Sequence, residues 1–236
     1  MIINQDKTKT MMISRNKKDC KVKLIDKELE QVENFKYLGV NFSEDGKIMD
    51  EINSRLLNTG RLYHAINRGF IGKKEISQKT KMAVYNSIYI PTLIYGSEAW
   101  ITTEKQKQKI QTAEMKYLRR VVGKTKRDKI RNQTIRTSLD IQPLQDRVYQ
   151  AQLRWFGHLN RMDDQRIAKR AWEARLGGLD RNRPRGRPRK TWDDSIQELL
   201  KNRKVTWERA KKMSLNRKEW RALCKTSTPI GIRGTD

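Results

Sequence analysis

The spacing of hydrophobic residues changes near residue 47 and divides the chain into a strand-rich start and a helical remainder. Before that point, apolar residues fall in short runs at 9–14, 21–25 and 35–42, each bounded by polar or turn-forming residues, which predicts short strands. Gly39 lies inside the third run, and a glycine within a strand often marks a bulge or a close backbone approach. The segment 43–46 (Ser-Glu-Asp-Gly) predicts a turn after that strand.

From residue 47 onward, apolar residues recur at helical spacing. Two helices are predicted before residue 100, and their apolar faces carry Ile48, Ile52, Leu56, Leu62 and Tyr63, then Ile76, Met82, Ala83 and Ile88. Pro91 is expected to break or kink the second helix, because proline lacks the backbone donor that an interior helical turn uses. Thr102 or Thr103 is suited to cap a third helix, which Gly123 would close.

Further helices are predicted after the basic run 124–129. Pro143 is suited to the first position of a helix, whose apolar face would carry Leu144, Val148, Ala151, Trp155 and Leu159. The segment 177–190 (GGLDRNRPRGRPRK) has no apolar period and predicts an exposed linker. Two short helices are predicted after it, at about 191–202 and 206–224. The pattern predicts a mainly helical α+β chain with short N-terminal strands.

Composition adds a strong electrostatic bias to this picture. The 236 residues include 53 Lys and Arg against 27 Asp and Glu, a net charge of +26, and most of the excess lies after residue 100. Hydrophobic residues make up 36% of the chain, which is lean but sufficient for modest cores around six tryptophans and seven tyrosines. A field this positive favours a polyanionic partner, so we expect the chain to bind DNA, RNA or both.

Several classes of protein are disfavoured by the same residues. The sequence has no apolar run of about 18 residues that would span a membrane, and no signal-peptide core at its start. No helix with clean basic and apolar faces dominates, so membrane coating is not expected either. Cys20 and Cys224 are too few for a zinc cluster or a disulfide scaffold, and we expect a reducing, intracellular compartment. The oligomeric state is left open.

Five sequence segments, taken in chain order, resemble one family of proteins. The run KTKTMMIS (7–14) is followed by FKYLGV (35–40), IYIPTLIYGSEAW (88–100), RWFGHLNRM (154–162) and RGRPRKTWDDSI (185–196). This series resembles the end of the palm, the thumb and the region after the thumb in reverse transcriptases of non-LTR (LINE-type) retrotransposons. Each segment alone is weak evidence for the resemblance, but together the segments extend over nearly the whole chain.

The resemblance implies five segments. These are a palm remnant with a primer-grip-like hairpin (1–46), a helical thumb-like domain (47–122), a basic helical region after the thumb (123–176), an AT-hook-like linker (177–190) and C-terminal helices with a frayed tail (191–236). It places Lys9 near the incoming nucleotide, with an ordinary surface lysine as the alternative. It assigns Tyr37, Leu38 and Gly39 to the primer grip.

Polymerase chemistry requires clustered carboxylates that hold two metal ions. In the family these precede the KTK strand, at which this sequence begins, so we expect no catalytic residue here, no polymerisation by this chain alone and no cofactor. Mg²⁺ would belong to the missing part of the palm. The run 161–164 (Arg-Met-Asp-Asp) resembles the catalytic box only superficially. Its flanks are helical, so Asp163 or Asp164 is interpreted as a helix N-cap, and Asp193 and Asp194 as first-turn carboxylates.

The linker holds the most specific binding motif. Its Arg-Gly-Arg-Pro core looks like an AT-hook, in which glycine lets an extended backbone enter a narrow minor groove and the arginines follow the negative potential of A·T tracts. The alternative is a basic linker that touches phosphates without base preference. Both readings predict nucleic-acid contact, through the residues Arg183, Arg185, Gly186, Arg187, Arg189 and Lys190.

The basic run after the third helix is the other candidate for phosphate contact. Its predicted contacts are Lys124, Lys126, Arg127 and Arg131, with a solvated turn as the alternative. Trp155 could stack on unpaired bases, but it falls on an apolar helical stripe and is better explained by core packing. The residues show no Ser/His/Asp arrangement, no phosphate-cradling glycine loop and no Cys/His metal spacing.

Three hypotheses follow from these observations. The chain is the nucleic-acid-binding C-terminal part of a retrotransposon reverse transcriptase, with an intracellular, nuclear location. Alternatively, it is a stand-alone DNA-binding or architectural protein derived from such an element, acting through the Arg-Gly-Arg-Pro segment. In the third hypothesis it is an inert relic whose opening strands lack sheet partners, and such exposed edges invite aggregation.

Overall fold

The structure, a computed structural model, describes residues 3–4, 7–13, 19–25, 27–176 and 190–226. Among these residues helices dominate and the strands lie near the start of the chain, which confirms the mainly helical α+β class. The described residues form two compact units. The first unit contains those of 1–95 and 102–135, and the second those of 96–101 and 136–236. The domain boundary predicted between 122 and 123 therefore falls inside the first unit.

The strands form two separate antiparallel hairpins. Strand β1 (Lys23–Leu24) pairs with β2 (Lys27–Glu28), and β3 (Asn34–Tyr37) pairs with β4 (Val40–Ser43). The prediction of one strand over 35–42 is wrong, because Leu38 and Gly39 adopt φ values of 47° and 81° and turn the chain back on itself. Two consecutive positive φ values are the geometry of a tight hairpin turn, which glycine accommodates at its second position.

The strand predicted over 9–14 is much shorter in the structure. Among its described residues, Thr10 makes an isolated parallel bridge with Gln31. The Thr10 amide donates to Glu30 O at 3.0 Å and the Val32 amide donates to Thr10 O at 2.9 Å. The predicted turn at 43–46 is confirmed, because the Gly46 amide donates to Ser43 O at 3.0 Å.

The helices follow in chain order. They are α1 (Met49–Ile66), α2 (Gln78–Val84), α3 (Ile90–Ile94), α4 (Glu104–Val121), α5 (Asn132–Ser138), α6 (Leu144–Asn160), α7 (Ile167–Leu176), α8 (Trp192–Lys201), α9 (Trp207–Leu215) and α10 (Arg217–Lys225). Helix α1 continues into a π-helical turn, Asn67–Ile71, and a short 3-10 turn occupies Ser97–Ala99.

Of the two outcomes predicted for Pro91, a break or a kink of the helix, the structure shows no break. A π-helical turn, Tyr85–Tyr89, joins α2 directly to α3, and Pro91 lies in the first turn of α3. Proline is tolerated in a first turn, and a widened turn before it absorbs the missing hydrogen bond. The helical chain therefore runs on to Ile94.

Helix α4 has the ends that the sequence predicts. Thr103 accepts a hydrogen bond from the Gln106 amide, and the Gln106 side chain accepts one from the Thr103 amide, which together make a capping box. Gly123 follows the helix with a φ of 68°, the left-handed conformation that commonly ends helices.

The core of the first unit lies between α1, α4 and the α2–α3 segment. Its buried apolar residues include Ile52, Tyr63, Ile71, Tyr85, Tyr89, Ile90, Leu93, Ile110, Met115, Tyr117, Leu118 and Val121. Two buried tyrosine hydroxyls find acceptors: Tyr117 Oη donates to Lys81 O and Tyr89 Oη donates to Ala113 O, each at 2.8 Å. Burial raises the pKa of Tyr117 to about 12.

The second unit has an aromatic core. The cluster comprises Leu153, Phe156, Leu159, Trp172, Trp192, Ile196, Leu199, Leu200, Ala210, Trp220 and Cys224. Trp155 is partly buried against this cluster, which confirms its assignment to packing. Three tryptophans of the unit differ in how their NH groups are satisfied. Trp192 Nε1 donates to Glu98 O and Trp172 Nε1 to Asp193 Oδ1, both at 2.8 Å, whereas the buried Trp100 Nε1 has no hydrogen-bond partner among the described residues.

Helix boundaries in the second unit differ in part from prediction. The helix predicted at 206–224 is two helices, because Asn216 adopts an extended conformation (ψ 106°) and caps α10 by accepting the Lys218 amide at 3.0 Å. Pro143 immediately precedes α6 and is not its first helical residue.

The two Asp-Asp pairs of the second unit take different structural roles. The prediction that Asp163 or Asp164 caps a helix is wrong, because α7 begins at Ile167, beyond both residues. Asp163 accepts the Gln165 amide at 2.8 Å in the turn before α7, and Asp164 Oδ1 lies 3.6 Å from Lys169 Nζ. Asp193 and Asp194 lie in the first turn of α8, as predicted.

Candidate nucleic-acid interface

The β3–β4 hairpin is fixed to the helical part of the first unit through the backbone of its tip. Tyr95 Oη donates a hydrogen bond to Leu38 O at 3.1 Å, and the Arg55 guanidinium donates one to Gly39 O. The Cβ that Gly39 lacks would sit 4.0 Å from the Tyr95 ring, so the glycine is required by its φ of 81° and not by a lack of space.

Arg55 is itself held in place from two sides. Its Nε lies 2.5 Å from Glu51 Oε1, and its guanidinium carbon lies 4.8 Å from the centre of the Tyr95 ring. Glu51 is 1% exposed and also accepts the Asn41 amide at 2.7 Å. This buried carboxylate therefore links α1, Arg55 and strand β4.

The tip that results is apolar and exposed. Tyr37 is 57% exposed and Leu38 is 74% exposed, although both belong to a hairpin whose backbone is anchored. Because the hairpin backbone is already fixed, these exposed aromatic and leucine side chains can contact a ligand with little loss of conformational entropy. The structure thus places Tyr37 and Leu38 at the exposed tip of the hairpin, with Gly39 as the second turn residue, and their assignment to a primer grip stays a prediction.

Lys9 takes part in a different pairing. It precedes the bridge between Thr10 and Gln31, and its ammonium pairs with the Glu30 carboxylate. The Lys9 side chain is 28% exposed and the Glu30 side chain 65%. A surface ion pair of this kind is weak, so it does not itself prevent another contact.

The basic loop, residues 122–131, follows α4 and exposes all four of the cations predicted there, Lys124, Lys126, Arg127 and Arg131. The Lys124 amide donates to Arg119 O at 2.8 Å, and the Lys129 amide donates to Lys126 O at 3.2 Å. Internal backbone hydrogen bonds fix the conformation of the loop, so its cations are presented in a set arrangement before any ligand arrives.

Asp128 shapes the basic loop from within. Its Oδ2 accepts the Thr125 amide at 2.5 Å and the Thr125 hydroxyl at 2.8 Å, and these bonds hold the pKa of Asp128 below its usual value. The Thr125 hydroxyl in turn accepts the Arg127 amide at 3.2 Å. The Asp128 carboxylate is therefore directed at Thr125 within the loop, while the lysines and arginines face solvent.

Arg119 ties the basic loop back to α4. Its Nη2 donates to Ile130 O at 3.0 Å and to Asn132 Oδ1 at 2.7 Å. Together with Lys116 and Lys126, Arg119 lines a groove of about 400 Å³. No carboxylate is among the described side chains that line this groove, which are Gln108, Gln111, Thr112, Met115, Lys116, Arg119, Lys126 and Asn132. The groove is cationic and open, and its amide and hydroxyl groups suit phosphate and sugar contacts.

Sequence reasoning identified the exposed cations but missed the residues that position them. Arg55 and Tyr95 hold the hairpin, and Arg119 and Lys116 build the groove. Tyr95 lies within one of the segments that carry the resemblance (88–100), so its role in holding the hairpin could have been suspected from the sequence. Nothing in the sequence distinguishes Arg55 or Arg119 from other helical arginines, because most of the loop and hairpin groups that they hold are 11 or more residues away in sequence.

The predicted AT-hook residues Arg183, Arg185, Gly186, Arg187 and Arg189 lie outside the described residues. Lys190 is described, and its ammonium pairs with Glu198 across the first turns of α8.

Neither a metal site nor a membrane span is found in the described part of the chain. Within residues 3–4, 7–13, 19–25, 27–176 and 190–226, no three His, Cys, Asp or Glu side chains are grouped as metal ligands. The helices of the same residues are too short or too polar to cross a bilayer.

Comparison with known proteins gives one informative relationship. An uncharacterized transposon-derived protein of Caenorhabditis elegans is 27% identical to this chain over an alignment of 214 residues; the match covers 85% of this chain and 73% of the worm protein. No family model and no solved structure matches the sequence. The similarity supports a transposon-derived origin for the chain.

Proposed function

We propose that this chain is the nucleic-acid-binding C-terminal part of a non-LTR retrotransposon reverse transcriptase, and that it grips template–primer duplex by its phosphate backbone. The observation that carries the proposal is the basic loop, which is internally bonded and exposes Lys124, Lys126, Arg127 and Arg131 beside a cationic groove. Its partners would then be DNA and RNA, and its place of action the nucleus.

Two further observations support the assignment to this family. Two of the segments that carry the resemblance are in contact in the structure. The hydrogen bond from Tyr95 to Leu38 joins IYIPTLIYGSEAW to FKYLGV. The relationship to a transposon-derived protein is in keeping with the same origin. A hairpin that is anchored by its backbone and exposes Tyr37 would contact the end of a bound strand.

The proposal assigns binding to these residues and no polymerase chemistry. By the resemblance, the carboxylates that hold Mg²⁺ belong to palm segments that are not among these 236 residues. The contribution of this chain would be to hold the duplex by contacts that are independent of sequence, since phosphate contacts position a nucleic acid without reading its bases.

The test is the salt dependence of binding to a 20-base-pair DNA duplex and to the corresponding RNA–DNA hybrid, measured by fluorescence anisotropy. The variant K124Q/R127Q removes two exposed cations of the basic loop. If both contact phosphates, it lowers the slope of log affinity against log salt by about 1.8 on duplex DNA, which corresponds to a loss of roughly 30-fold at 0.15 M salt.

A matched control removes the same charge from another part of the first unit. Lys21 and Lys23 are exposed near the first hairpin, so K21Q/K23Q makes the same change in net charge away from the loop. We expect the control to bind nearly as tightly as the wild type. Equal losses in the two variants would show that binding follows net charge alone, and the proposed role of the loop would be abandoned.

A further inference from the structure

The second unit carries a separate cationic groove, which we call the basic trough. It has a volume of about 480 Å³ and lies between α6 and α10. Six of the side chains that line it are basic, namely Arg154, His158, Arg161, Arg217, Arg221 and Lys225. No carboxylate is among its described lining residues.

The two rows of cations follow from helical spacing. On α6 and its C-terminal end, Arg154, His158 and Arg161 recur every three or four residues, which places them on one face. On α10, Arg217, Arg221 and Lys225 recur every fourth residue. At about 1.5 Å of rise per residue, the α10 row is about 12 Å long. This length corresponds to three or four phosphates of one strand, at about 3.4 Å each along a duplex axis.

A glycine brings the two rows together. Trp220 of α10 packs against α6 at Gly157, where a Cβ would lie only 2.1 Å from Trp220 Nε1. The indole Nε1 donates to Leu153 O at 2.9 Å, which fixes the separation of the helices. Trp220 is 3% exposed, so it closes the floor of the trough and its indole is not available for base stacking.

The cations of the trough are not neutralised within the described residues. None of Arg154, Arg161, Arg217, Arg221 and Lys225 forms an ion pair with a described carboxylate. Elsewhere in the same unit, Lys169 lies 3.6 Å from both Asp164 and Glu173. An unpaired cationic cluster repels itself, and an anion that binds there relieves the repulsion.

Arg161 illustrates this repulsion. It donates from Nη1 to Ser214 O, while its buried Nε has no hydrogen-bond partner in the described structure. Burial and the nearby charge of Arg217 lower the pKa of Arg161. The fold thus keeps a partly buried arginine beside other cations, which is costly unless a ligand supplies negative charge.

We infer that the basic trough binds the phosphodiester backbone of a nucleic-acid strand, independently of base sequence and in addition to the basic loop of the first unit. The choice of nucleic acid as the polyanion rests on the proposed function, whereas the site itself rests on the geometry of α6 and α10. The described lining residues offer no exposed tryptophan, tyrosine or phenylalanine ring, and their cations form regular rows, so phosphate contacts are favoured over base contacts.

The test uses the full chain and the variant R154Q/R221Q, which removes one exposed cation from each row. The probes are a 20-base-pair DNA duplex and its single strand, in two unrelated sequences, followed by fluorescence anisotropy. On the duplex, we expect a loss of roughly 30-fold at 0.15 M salt and a slope reduced by about 1.8, with the same ratio for both sequences. Since both side chains are exposed, tryptophan fluorescence during urea unfolding should be unchanged.

The matched control is R209Q/K218Q, which removes two exposed cations from α9 and α10 that do not line the trough. We expect it to bind like the wild type. The inference is overturned if R154Q/R221Q and R209Q/K218Q bind equally well, or if polyglutamate displaces the duplex at the same charge concentration as competitor DNA.

The same series distinguishes failure of this inference from failure of the proposed function. If the trough variant matches its control while the loop variant K124Q/R127Q loses affinity, only the second site is refuted. If the trough variant loses affinity while the loop variant matches its control, the role of the loop is refuted and the trough is retained. If the wild type binds neither probe, both are refuted.

Discussion

Adding a methyl group at Gly157 should destabilise the second unit, although alanine is the better helix former. The added Cβ would lie 2.1 Å from Trp220 Nε1 and 2.4 Å from Trp220 Cδ1, which is closer than any real contact, so the helices must move apart. The movement endangers the hydrogen bond of 2.9 Å from Trp220 Nε1 to Leu153 O. The donor and the acceptor are both buried, so breaking this bond would leave the indole donor unsatisfied. A buried donor without a partner costs more free energy than the hydrogen bond itself contributes to stability.

The expected size of the effect follows from three contributions. Overpacking a core costs about 1–3 kcal/mol, and leaving a buried donor unsatisfied costs about 1–3 kcal/mol. Replacement of glycine by alanine in a helix interior returns about 1 kcal/mol. We therefore expect G157A to lower the free energy of unfolding of the second unit by about 3 kcal/mol.

Gly60 provides the matched control, because it also lies inside a helix but a Cβ there would meet nothing within 4 Å. G60A should stabilise the first unit by up to about 1 kcal/mol. All six tryptophans lie in the second unit, so tryptophan fluorescence in urea reports on that unit, while circular dichroism reports on both. If G157A leaves the fluorescence midpoint unchanged or raises it, the close packing of α6 on α10 is refuted.

Two further predictions concern the linker and the cysteines. Replacing Arg185 and Arg187 by alanine should weaken binding to an A·T-rich duplex more than to a G·C-rich duplex, as measured by competition; equal losses would reduce the segment to a plain basic linker. Cys224 is 3% exposed and burial raises its pKa to about 11, so at pH 8 only about one thiol in a thousand is ionised. Iodoacetamide should therefore label the half-buried Cys20 before Cys224 at pH 8, as followed by mass spectrometry. Labelling of Cys224 should become faster as the pH rises towards 11 or when the protein unfolds. Equal labelling rates at pH 8 would contradict the burial of Cys224.

Local signals predicted local structure well. Thr103 and Gly123 mark the two ends of α4 because capping depends on residues within one turn of the helix end. The turn at Gly46 follows from the same kind of short-range chemistry. The break that was one of the two outcomes predicted at Pro91 is absent because a π-helical turn precedes the proline, and such turns have no clear sequence signature. Asn216 is a good N-cap, yet the helical pattern on either side concealed it.

The candidate sites were predictable only where their residues are neighbours in sequence. The cations of the basic loop form one short run, so the sequence alone identified them. The basic trough combines α6 with α10, and the pairing depends on Gly157 and Trp220, which are distant in sequence. Gly157 inside a predicted amphipathic helix was the available signal, because an isolated glycine there costs stability and can point to a packing role.

The measurement that tests the central claim most directly is the relative affinity of the wild-type chain for an RNA–DNA hybrid and an A·T-rich DNA duplex of equal length, across a range of salt concentrations. A thumb-like grip on template–primer predicts tighter binding to the hybrid, with a steep fall in affinity as salt rises. Tighter binding to the A·T-rich duplex would contradict this account and favour a stand-alone DNA-binding protein. Failure to bind either probe at low salt would refute nucleic-acid binding altogether.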